Sequence, residues 1–281
     1  MNETWLDGAG IKVTSVDCPG ATPREVEGGD TFELFLVRKG CFRVRGSELE
    51  VFADPTACLI VRPGHAVEVS HPQPGGDVST FLSLGEDMVA SIGGGCTHVP
   101  AMVPATAQIA WVHQQMMAAG QWGEDPMAVE ELALLLFASA LAYAEPGRVR
   151  AGRPTGRAHQ QLADDARAAL IADPTLSSVV ELARLLGCSP HHLSRVFTEQ
   201  TGLGVARYRT ALRVDRALNL LGEGETSLTK VAQACGFADH AHLTRTLRRH
   251  LGATPSALRA ALRTPKLSTG IQGVPPLDST H

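Results

Sequence analysis

Two short segments of the sequence place histidines and arginines directly after a residue that can cap a helix. The segments begin at Ser189 and Asp239, about 50 residues apart. The candidate DNA-contacting residues are Ser189, Pro190, His191, His192, Ser194, Arg195, Asp239, His240, His242, Thr244, Arg245, Arg248 and Arg249. Arginine donates paired hydrogen bonds to guanine, and the N–H groups at a helix N-terminus favour phosphate. These residue types predict contact with double-stranded DNA.

Charge is divided unevenly along the chain in the direction that DNA binding requires. The whole protein has a formal net charge of −4. Residues 1–154 hold 10 Lys and Arg against 19 Asp and Glu, whereas residues 155–264 hold 14 against 9 and six histidines as well. An acidic first half and a basic second half indicate a nucleic-acid partner for the second half only.

An internal repeat positions the two segments. Leu182–Gly202 aligns with Val231–Gly252, and each predicts a helix, a turn containing glycine and a second helix. Ser178 and Ser227 stand where each first helix would be capped, while Ser189 and Asp239 stand where each second helix would be capped. This is the helix-turn-helix pattern, in which the second helix enters the major groove. The alternative is a pair of ordinary helical hairpins, against which the basic charge and its position count.

The segment between the repeats predicts a connecting helix. Val205–Leu221 carries an apolar stripe, and the remaining faces carry Arg207, Arg209, Arg213 and Arg216. A helix of this length, roughly 25 Å, suits a strut that holds two recognition helices about one DNA turn apart, ~34 Å.

The second half resembles the AraC/XylS family of bacterial transcription regulators. The resemblance covers roughly residues 160–263 and rests on Ala232, Gly236, Phe237, Asp239, Leu243, Arg245, Leu247, Gly252, Pro255 and Arg259. The family's R-x3-A-x3-L pattern occurs as Arg213, Ala217 and Leu221. The sequence departs from the family at Leu243, Leu247 and Leu258, where an aromatic residue is usual. We expect these three to face the core, so the departure affects packing rather than recognition.

The first half predicts a small antiparallel β-barrel. Short runs of β-forming residues are punctuated by glycine and proline, around Lys39-Gly40 and Pro63-Gly64 for example. Candidate effector-binding residues on the strands are Phe32, Leu34, Leu36, Arg43 and Arg45. One alternation would turn Phe32, Leu34, Leu36, Phe42 and Val44 inward, and the other would turn Glu33, Phe35, Arg43 and Arg45 inward. The sequence leaves the two open.

The first half is also similar, more weakly, to the cupin-like effector domains of that family. The resemblance implies small-molecule sensing and dimerisation through the helices that follow the barrel, predicted at Ala107–Ala119 and Pro126–Tyr143. The expected fold class is therefore α+β: an N-terminal cupin-like barrel with following helices, and a C-terminal all-α domain of two helix-turn-helix units. The expected boundaries are 1–145 for the effector and dimerisation domain, 146–159 for a linker, 160–263 for the DNA-binding domain and 264–281 for a loose tail.

No metal or cofactor is expected from the sequence. The six cysteines form no C-x-x-C pair, and their irregular spacing favours reduced thiols over a disulfide framework or structural zinc. The H-x-H of cupin enzymes is missing, and His65, His71 and His98 are isolated. The sequence contains no recognisable signal peptide and no apolar run long enough to span a membrane, which favours a cytoplasmic protein without a membrane partner.

These observations favour a dimeric, non-enzymatic transcription regulator that binds promoter or operator DNA and responds to a small organic effector. RNA polymerase would be a further partner if the protein is an activator. Three alternative functions remain to be considered: a cupin enzyme fused to a DNA-binding module, a DNA-repair regulator with a methyl-accepting cysteine, and a redox switch at Cys41, Cys58 or Cys96. The absent H-x-H and the cysteine spacing count against the first two. The strand-like surroundings of the three thiols count against the third.

Overall fold

The chain folds into an N-terminal domain of two sheets with helices and an all-helical C-terminal domain, which confirms the predicted α+β class. The computed structural model describes residues 2–8, 10–20, 23–46, 50–72, 75–93, 102–121, 126–143, 156–176 and 178–263. Most of the predicted linker, residues 146–155, and the whole predicted tail, 264–281, lie outside the described residues.

The strands are β1 Asn2–Gly8, β2 Ile11–Cys18, β3 Arg24–Val26, β4 Thr31–Gly40, β5 Phe42–Gly46, β6 Glu50–Ala53, β7 Ala57–Val61, β8 Val67–Ser70, β9 Asp77–Gly85 and β10 Met102–Pro104. The helices of the N-terminal domain are α1 Glu86–Gly93, α2 Ala107–Gln121 and α3 Pro126–Tyr143. Those of the C-terminal domain are α4 Arg157–Ala172, α5 Val179–Leu185, α6 Pro190–Thr201, α7 Val205–Gly222, α8 Leu228–Ala234, α9 His240–Leu251 and α10 Pro255–Arg263.

The described strands form two separate antiparallel sheets, not the predicted closed barrel. The large sheet has the order β1-β2-β9-β4-β7-β10, and the small sheet has the order β3-β8-β5-β6. The β-forming runs on either side of Lys39-Gly40 and of Pro63-Gly64 do not pair as hairpins. The chain passes from one sheet to the other between β4 and β5 and again between β7 and β8. Gly40 marks the first crossing with a φ of +77°, and a Cβ there would lie 2.2 Å from the carbonyl oxygen of Gly76.

The large sheet is buried on both faces, which explains why the sequence could not decide which side chains point inward. On β4, Leu34 and Leu36 belong to the core that the large sheet forms with α1, α2 and α3. The intervening Phe35 and Val37 belong to a second core shared with the small sheet. Strands covered on both faces read as continuous apolar runs rather than as a clean alternation.

Helix α3 is long and apolar enough to cross a membrane by length and composition alone. In the fold, however, seven of its residues are buried: Val129, Leu132, Ala133, Leu136, Phe137, Ala140 and Leu141. They pack in the core beneath the large sheet. The apolar composition of α3 is therefore that of a helix buried in the core of its domain.

The C-terminal domain contains the two predicted helix-turn-helix units, α5–α6 and α8–α9, joined by α7. The four expected caps are confirmed. The side chains of Ser178, Ser189, Ser227 and Asp239 accept hydrogen bonds from the backbone N–H groups of Glu181, His192, Lys230 and His242. A cap of this kind contributes about 1 kcal/mol of helix stability. Each unit has its own apolar core, and α7 contributes to both.

The turn of the second unit needs a glycine for two reasons. Gly236 has a φ of +72°, and a Cβ there would lie 2.1 Å from the carbonyl oxygen of Pro174. Arg213 of α7 donates to that same carbonyl from Nε at 3.2 Å and from Nη2 at 2.8 Å. The loop that follows α4 is therefore held against the turn of the second unit.

Helix α2 lies between the two domains instead of lying on the outside. Trp111 and Ala118 belong to the core of the second helix-turn-helix unit, together with residues of α7, α9 and α10. On other faces of the same helix, Ile109, Val112 and Met116 belong to the core of the large sheet. Half of the surface predicted for dimerisation is thus covered by the C-terminal domain of the same chain.

Candidate nucleic-acid interface

The first recognition helix, α6, presents its basic residues on the face opposite its core contacts. Leu193, Val196 and Phe197 are buried. His191 and Arg195 are exposed on the other face. Because Pro190 occupies the first turn and Ser189 caps it, the helix begins with its charged residues already ordered.

The second recognition helix, α9, has the same design. Leu243, Leu247 and Leu251 are buried. The exposed residues are His240, Arg245, Arg248, Arg249 and His250. The three leucines that depart from the family's usual aromatic, Leu243, Leu247 and Leu258, are each at most 1% exposed, so they are core residues as expected.

The equivalent histidines of the two helices, His192 and His242, each pack against another ring of the C-terminal domain. The ring of His192 packs edge-on against His159 at 5.6 Å between centroids, and that of His242 packs against Phe237 at 5.3 Å. Both are half-buried, as are Ser194 and Thr244. These four predicted contact residues are therefore partly covered by their own unit, whereas His191 and His240 are exposed.

The two equivalent arginines differ in their neighbours. Arg195 pairs with Glu199, one turn later, with Nη1–O distances of 3.0 and 3.2 Å. Arg245 has Arg249 at the same offset and makes no hydrogen bond or ion pair with the described part of the chain. Arg248 and Arg249 lie in the last turn of α9, where cations also interact favourably with the helix dipole. The guanidinium of Arg245 is thus the better placed of the two to meet an anionic partner.

The arginines of α7 divide into structural and exposed residues. Arg213 holds the loop at Pro174, and Arg209 donates to the carbonyl oxygen of Leu176 at 3.1 Å. Arg207 and Arg216 are exposed. Two of the four charges that the sequence placed on this helix are therefore used inside the domain.

A buried carboxylate at the domain boundary escaped the sequence reasoning. Asp54 is 0% exposed and is the first residue after β6. It accepts hydrogen bonds from Arg167 Nε at 2.7 Å, from Tyr208 Oη at 2.7 Å and from the backbone and hydroxyl of Thr56. Arg167 belongs to α4 and Tyr208 to α7, so one carboxylate joins the N-terminal domain to two helices of the C-terminal domain. Next to it, Arg43 of β5 pairs with Asp164 of α4 at 2.6 Å.

A second polar group joins the domains further along α7. Gln114 of α2 donates to Asn219 Oδ1 at 2.5 Å, and Asn219 Nδ2 donates to Asp215 at 2.9 Å. Burial raises the pKa of Asp215 well above its usual range. No periodicity in the sequence signals the contacts that cross the domain boundary, since Asp54–Arg167, Asp54–Tyr208, Arg43–Asp164 and Gln114–Asn219 each join residues more than 100 positions apart.

The structure does not bring the five predicted effector residues together. Phe32, Leu34 and Leu36 face the helices beneath the large sheet. Arg43 points to α4, and Arg45 pairs with Glu50 and Glu68 at the surface. A separate open cleft of about 950 Å³ is lined by Gly10, Gly28, Gly29, Asp30, Pro63, Gly64, Gly85, Glu86, Asp87 and Met88. It contains none of the five.

The thiols proposed for redox sensing are poorly placed for it where they are described. Burial raises the pKa of both Cys41 and Cys58 to about 12, so neither is a reactive thiolate near neutral pH. Cys96 lies outside the described residues.

Known proteins match the C-terminal part of the chain. The family described as "Helix-turn-helix domain" matches residues 182–261. The transcriptional regulator RipA of Corynebacterium glutamicum is 38% identical over 108 residues, which is 38% of this chain and 31% of RipA. The transcriptional activator RhaR of Enterobacter sp. is 31% identical over 129 residues, 46% of each chain. The fatty-acid-bound ToxT structure from Vibrio cholerae covers 94% of this chain and 99% of its own at 10% identity, with a TM-score of 0.40, too distant to support a conclusion.

The aligned region thus spans less than half of these two curated relatives, and it coincides with the two capped units described above. It includes α6, α9, the connecting α7 and the exposed arginines. The resemblance that the sequence carried is confirmed by these matches. Residues 182–261 therefore match a helix-turn-helix domain of the kind found in these transcription regulators.

Proposed function

We propose that this protein is a transcription regulator that binds an operator with both recognition helices and is controlled by a small molecule held in its N-terminal domain. The observation that carries the proposal is the pair of capped, exposed, basic helices α6 and α9 on one connecting helix. At 1.5 Å per residue, α7 is about 27 Å long, which suits two helices in successive major grooves.

Arg195 and Arg245 are the base-reading residues in this proposal, and Arg248 or Arg249 contacts backbone phosphate. Arginine in the first turns of a recognition helix reaches guanine O6 and N7, while basic residues further along meet the phosphates. His191 and His240 follow as secondary contacts because both are exposed beside the arginines.

The cupin-like, effector-sensing role of the N-terminal domain remains part of the proposal. The acidic cleft with Asp30, Glu86 and Asp87 at its rim suits a cationic or hydroxyl-rich organic molecule. The N-terminal domain contacts α4, which packs on the first unit, through the bond between Asp54 and Arg167, and it contacts the second unit through Trp111. A ligand that shifts these contacts would change the relative placement of the two units, and thereby the fit to DNA.

We also infer a cytoplasmic, non-enzymatic homodimer, with RNA polymerase as a partner if the protein activates. Support for the dimer now rests on α3 alone, since α2 is covered. On α3, Met127, Glu131 and Ala142 are exposed and Ala138 is half-buried, whereas the half-buried Leu135 packs partly against the core of its own domain. Met127 is 62% exposed.

The test starts with the intact protein and sheared DNA from its own genome. Fragments that the protein retains are sequenced, a shared operator is derived, and the affinity of the Arg245→Ala variant for that operator is measured. Loss of a bidentate base contact costs roughly 1–3 kcal/mol, so affinity should fall about fivefold to a hundredfold. Arg195→Ala should cost less, because Glu199 competes for that guanidinium.

The matched control is Arg24→Ala, which removes an exposed arginine from β3 of the N-terminal domain. It should leave operator affinity unchanged. If Arg245→Ala bound the operator as tightly as Arg24→Ala does, the assignment of α9 as a recognition helix would be wrong.

A further inference from the structure

Three metal-ligating side chains meet at one end of the N-terminal domain: Cys18, His71 and Asp77. Their ligand atoms all lie within 4.8 Å of one another. The side chains of His71 and Asp77 are 6% and 5% exposed, and Cys18 is half-buried. In the sequence His71 is isolated, and no metal site is predicted there, because the three residues lie on separate segments of the chain.

Strand register accounts for the meeting. Cys18 is the last residue of β2 and Asp77 the first of β9, and the two are direct partners in the antiparallel ladder. Directly opposed side chains in such a ladder lie on the same face, with Cβ atoms about 4.5–5.5 Å apart. His71 follows β8, so it reaches the pair from the small sheet.

The carboxylate is held in place before any ligand arrives. His71 Nε2 lies 2.7 Å from Asp77 Oδ1, and the hydroxyl of Ser79 donates to Asp77 Oδ2. The backbone beside it is tightly packed, since a Cβ on Gly76 would lie 1.8 Å from the carbonyl oxygen of Cys18. A ligand set whose carboxylate and ring are oriented by neighbours loses little conformational freedom on binding.

We propose that Cys18, His71 and Asp77 form a site for one divalent transition-metal ion of the zinc class. Thiolate sulfur, imidazole nitrogen and carboxylate oxygen are the donors that Zn²⁺ takes, whereas Ca²⁺ and Mg²⁺ select oxygen. Tetrahedral Zn²⁺ spaces such donors about 3.3–3.5 Å apart, which the present positions reach by shifts of about 1 Å.

Binding would release the Cys18 thiol proton to solvent and insert the ion where His71 now shares a hydrogen bond with Asp77. Three protein ligands leave the fourth tetrahedral position to water or to an outside ligand. Because Cys18 and Asp77 belong to the large sheet and His71 follows the small one, the ion would tie the two sheets together. An ion that binds only the folded chain raises its stability by mass action.

The experiment uses the full chain after treatment with a chelator. Co²⁺ alone is titrated in, and absorption is followed in the near-ultraviolet, where thiolate-to-cobalt charge transfer appears, and in the visible, where tetrahedral Co²⁺ absorbs. We expect both signals to saturate at one equivalent per chain, Zn²⁺ to displace them, and Zn²⁺ to raise the unfolding temperature.

The key variant is Cys18→Ser, which leaves the bond between His71 and Asp77 intact and so should fold. It should lose the charge-transfer band and bind Zn²⁺ at least tenfold more weakly, and His71→Asn should weaken binding similarly. The matched controls are Cys188→Ser, at the half-buried thiol of the C-terminal domain, and His65→Asn, at an exposed histidine. Both should bind as the unchanged protein does. An unchanged protein without the band, a band that survives Cys18→Ser, or a band lost equally in Cys188→Ser would overturn the site.

Discussion

The hydrogen bond between Tyr208 and Asp54 offers a direct test of how the two domains are joined. Tyr208→Phe removes a single hydroxyl, which donates to Asp54 at 2.7 Å inside a fully buried group. The ring itself stays in place against Phe197, at 5.1 Å between centroids, so no cavity forms. The change therefore isolates one hydrogen bond that crosses the domain boundary.

The expected cost follows from the charge on the acceptor. A hydrogen bond to a charged group contributes about 1.5–3 kcal/mol, and Asp54 keeps its bonds from Arg167 and Thr56, so we expect a loss near the lower end. Asp54→Asn should cost more, about 3 kcal/mol, because the buried guanidinium of Arg167 would lose its nearest counter-charge and keep only Asp164, at 3.7 Å between Nη1 and Oδ1. The two changes should be non-additive in the double variant, since both act on one network.

The assay is urea unfolding of the intact protein, followed by tryptophan fluorescence, with Trp111 lying at the boundary between the domains. The chain contains two tyrosines, so Tyr143→Phe at the end of α3 is a matched control and should change the free energy of unfolding little. Equal midpoints for Tyr208→Phe and Tyr143→Phe would refute the view that Asp54 joins the domains through this bond.

Three further outcomes are expected. Glu199→Gln should raise the affinity for DNA of any sequence, because it frees Arg195 and removes a negative charge from α6. The measurement is a DNA titration at several salt concentrations, and unchanged binding would show that the ion pair with Glu199 does not compete with DNA for Arg195. Burial lowers the pKa of His113 to about 3, so the folded state holds the ring neutral and stability is lost as pH falls below about 6.5. From about pH 7 to pH 5 the free energy of unfolding should drop by about 2 kcal/mol, and His113→Gln should remove that part of the pH dependence. An identical pH dependence in the variant would show that another group causes the acid sensitivity. Ala142→Glu, at an exposed position of α3, should yield monomers in sedimentation at micromolar concentration, while Leu185→Glu, at an exposed position of the C-terminal domain, should not. A monomeric unchanged protein would end the dimer proposal.

The helical domain was largely predictable because its signals are local. A cap such as Ser189 or Asp239 is read within four residues, and the buried face of α9 follows from leucines at helical spacing. Arg213 shows the limit of such reasoning. Its spacing placed it on an arginine-lined face, yet it is buried and donates to the carbonyl oxygen of Pro174, in a loop 39 residues earlier in the chain.

The sheets were less predictable because their pairing is set by register between distant segments. Continuous apolar runs such as β4 fit a barrel, a sandwich or a sheet covered by helices equally well, and the choice depends on where the chain crosses from one sheet to the other. Glycines at tight approaches mark those crossings, as Gly40 does, but a sequence shows the glycine and not the carbonyl it approaches.

The same reasoning explains why both polar clusters at the edges of the N-terminal domain were missed. Asp54 meets Tyr208 across 154 positions, and Cys18 meets Asp77 through a ladder whose register no local pattern specifies. A buried carboxylate must find its donors, so each isolated acid in an apolar surrounding implies a partner somewhere along the chain. Asp54 and Asp77 obey this rule, but acids such as Asp17 and Glu33 also lie in strand-forming stretches, so the sequence alone does not show which acid is buried; the fold shows both the burial and the residues that supply the partners.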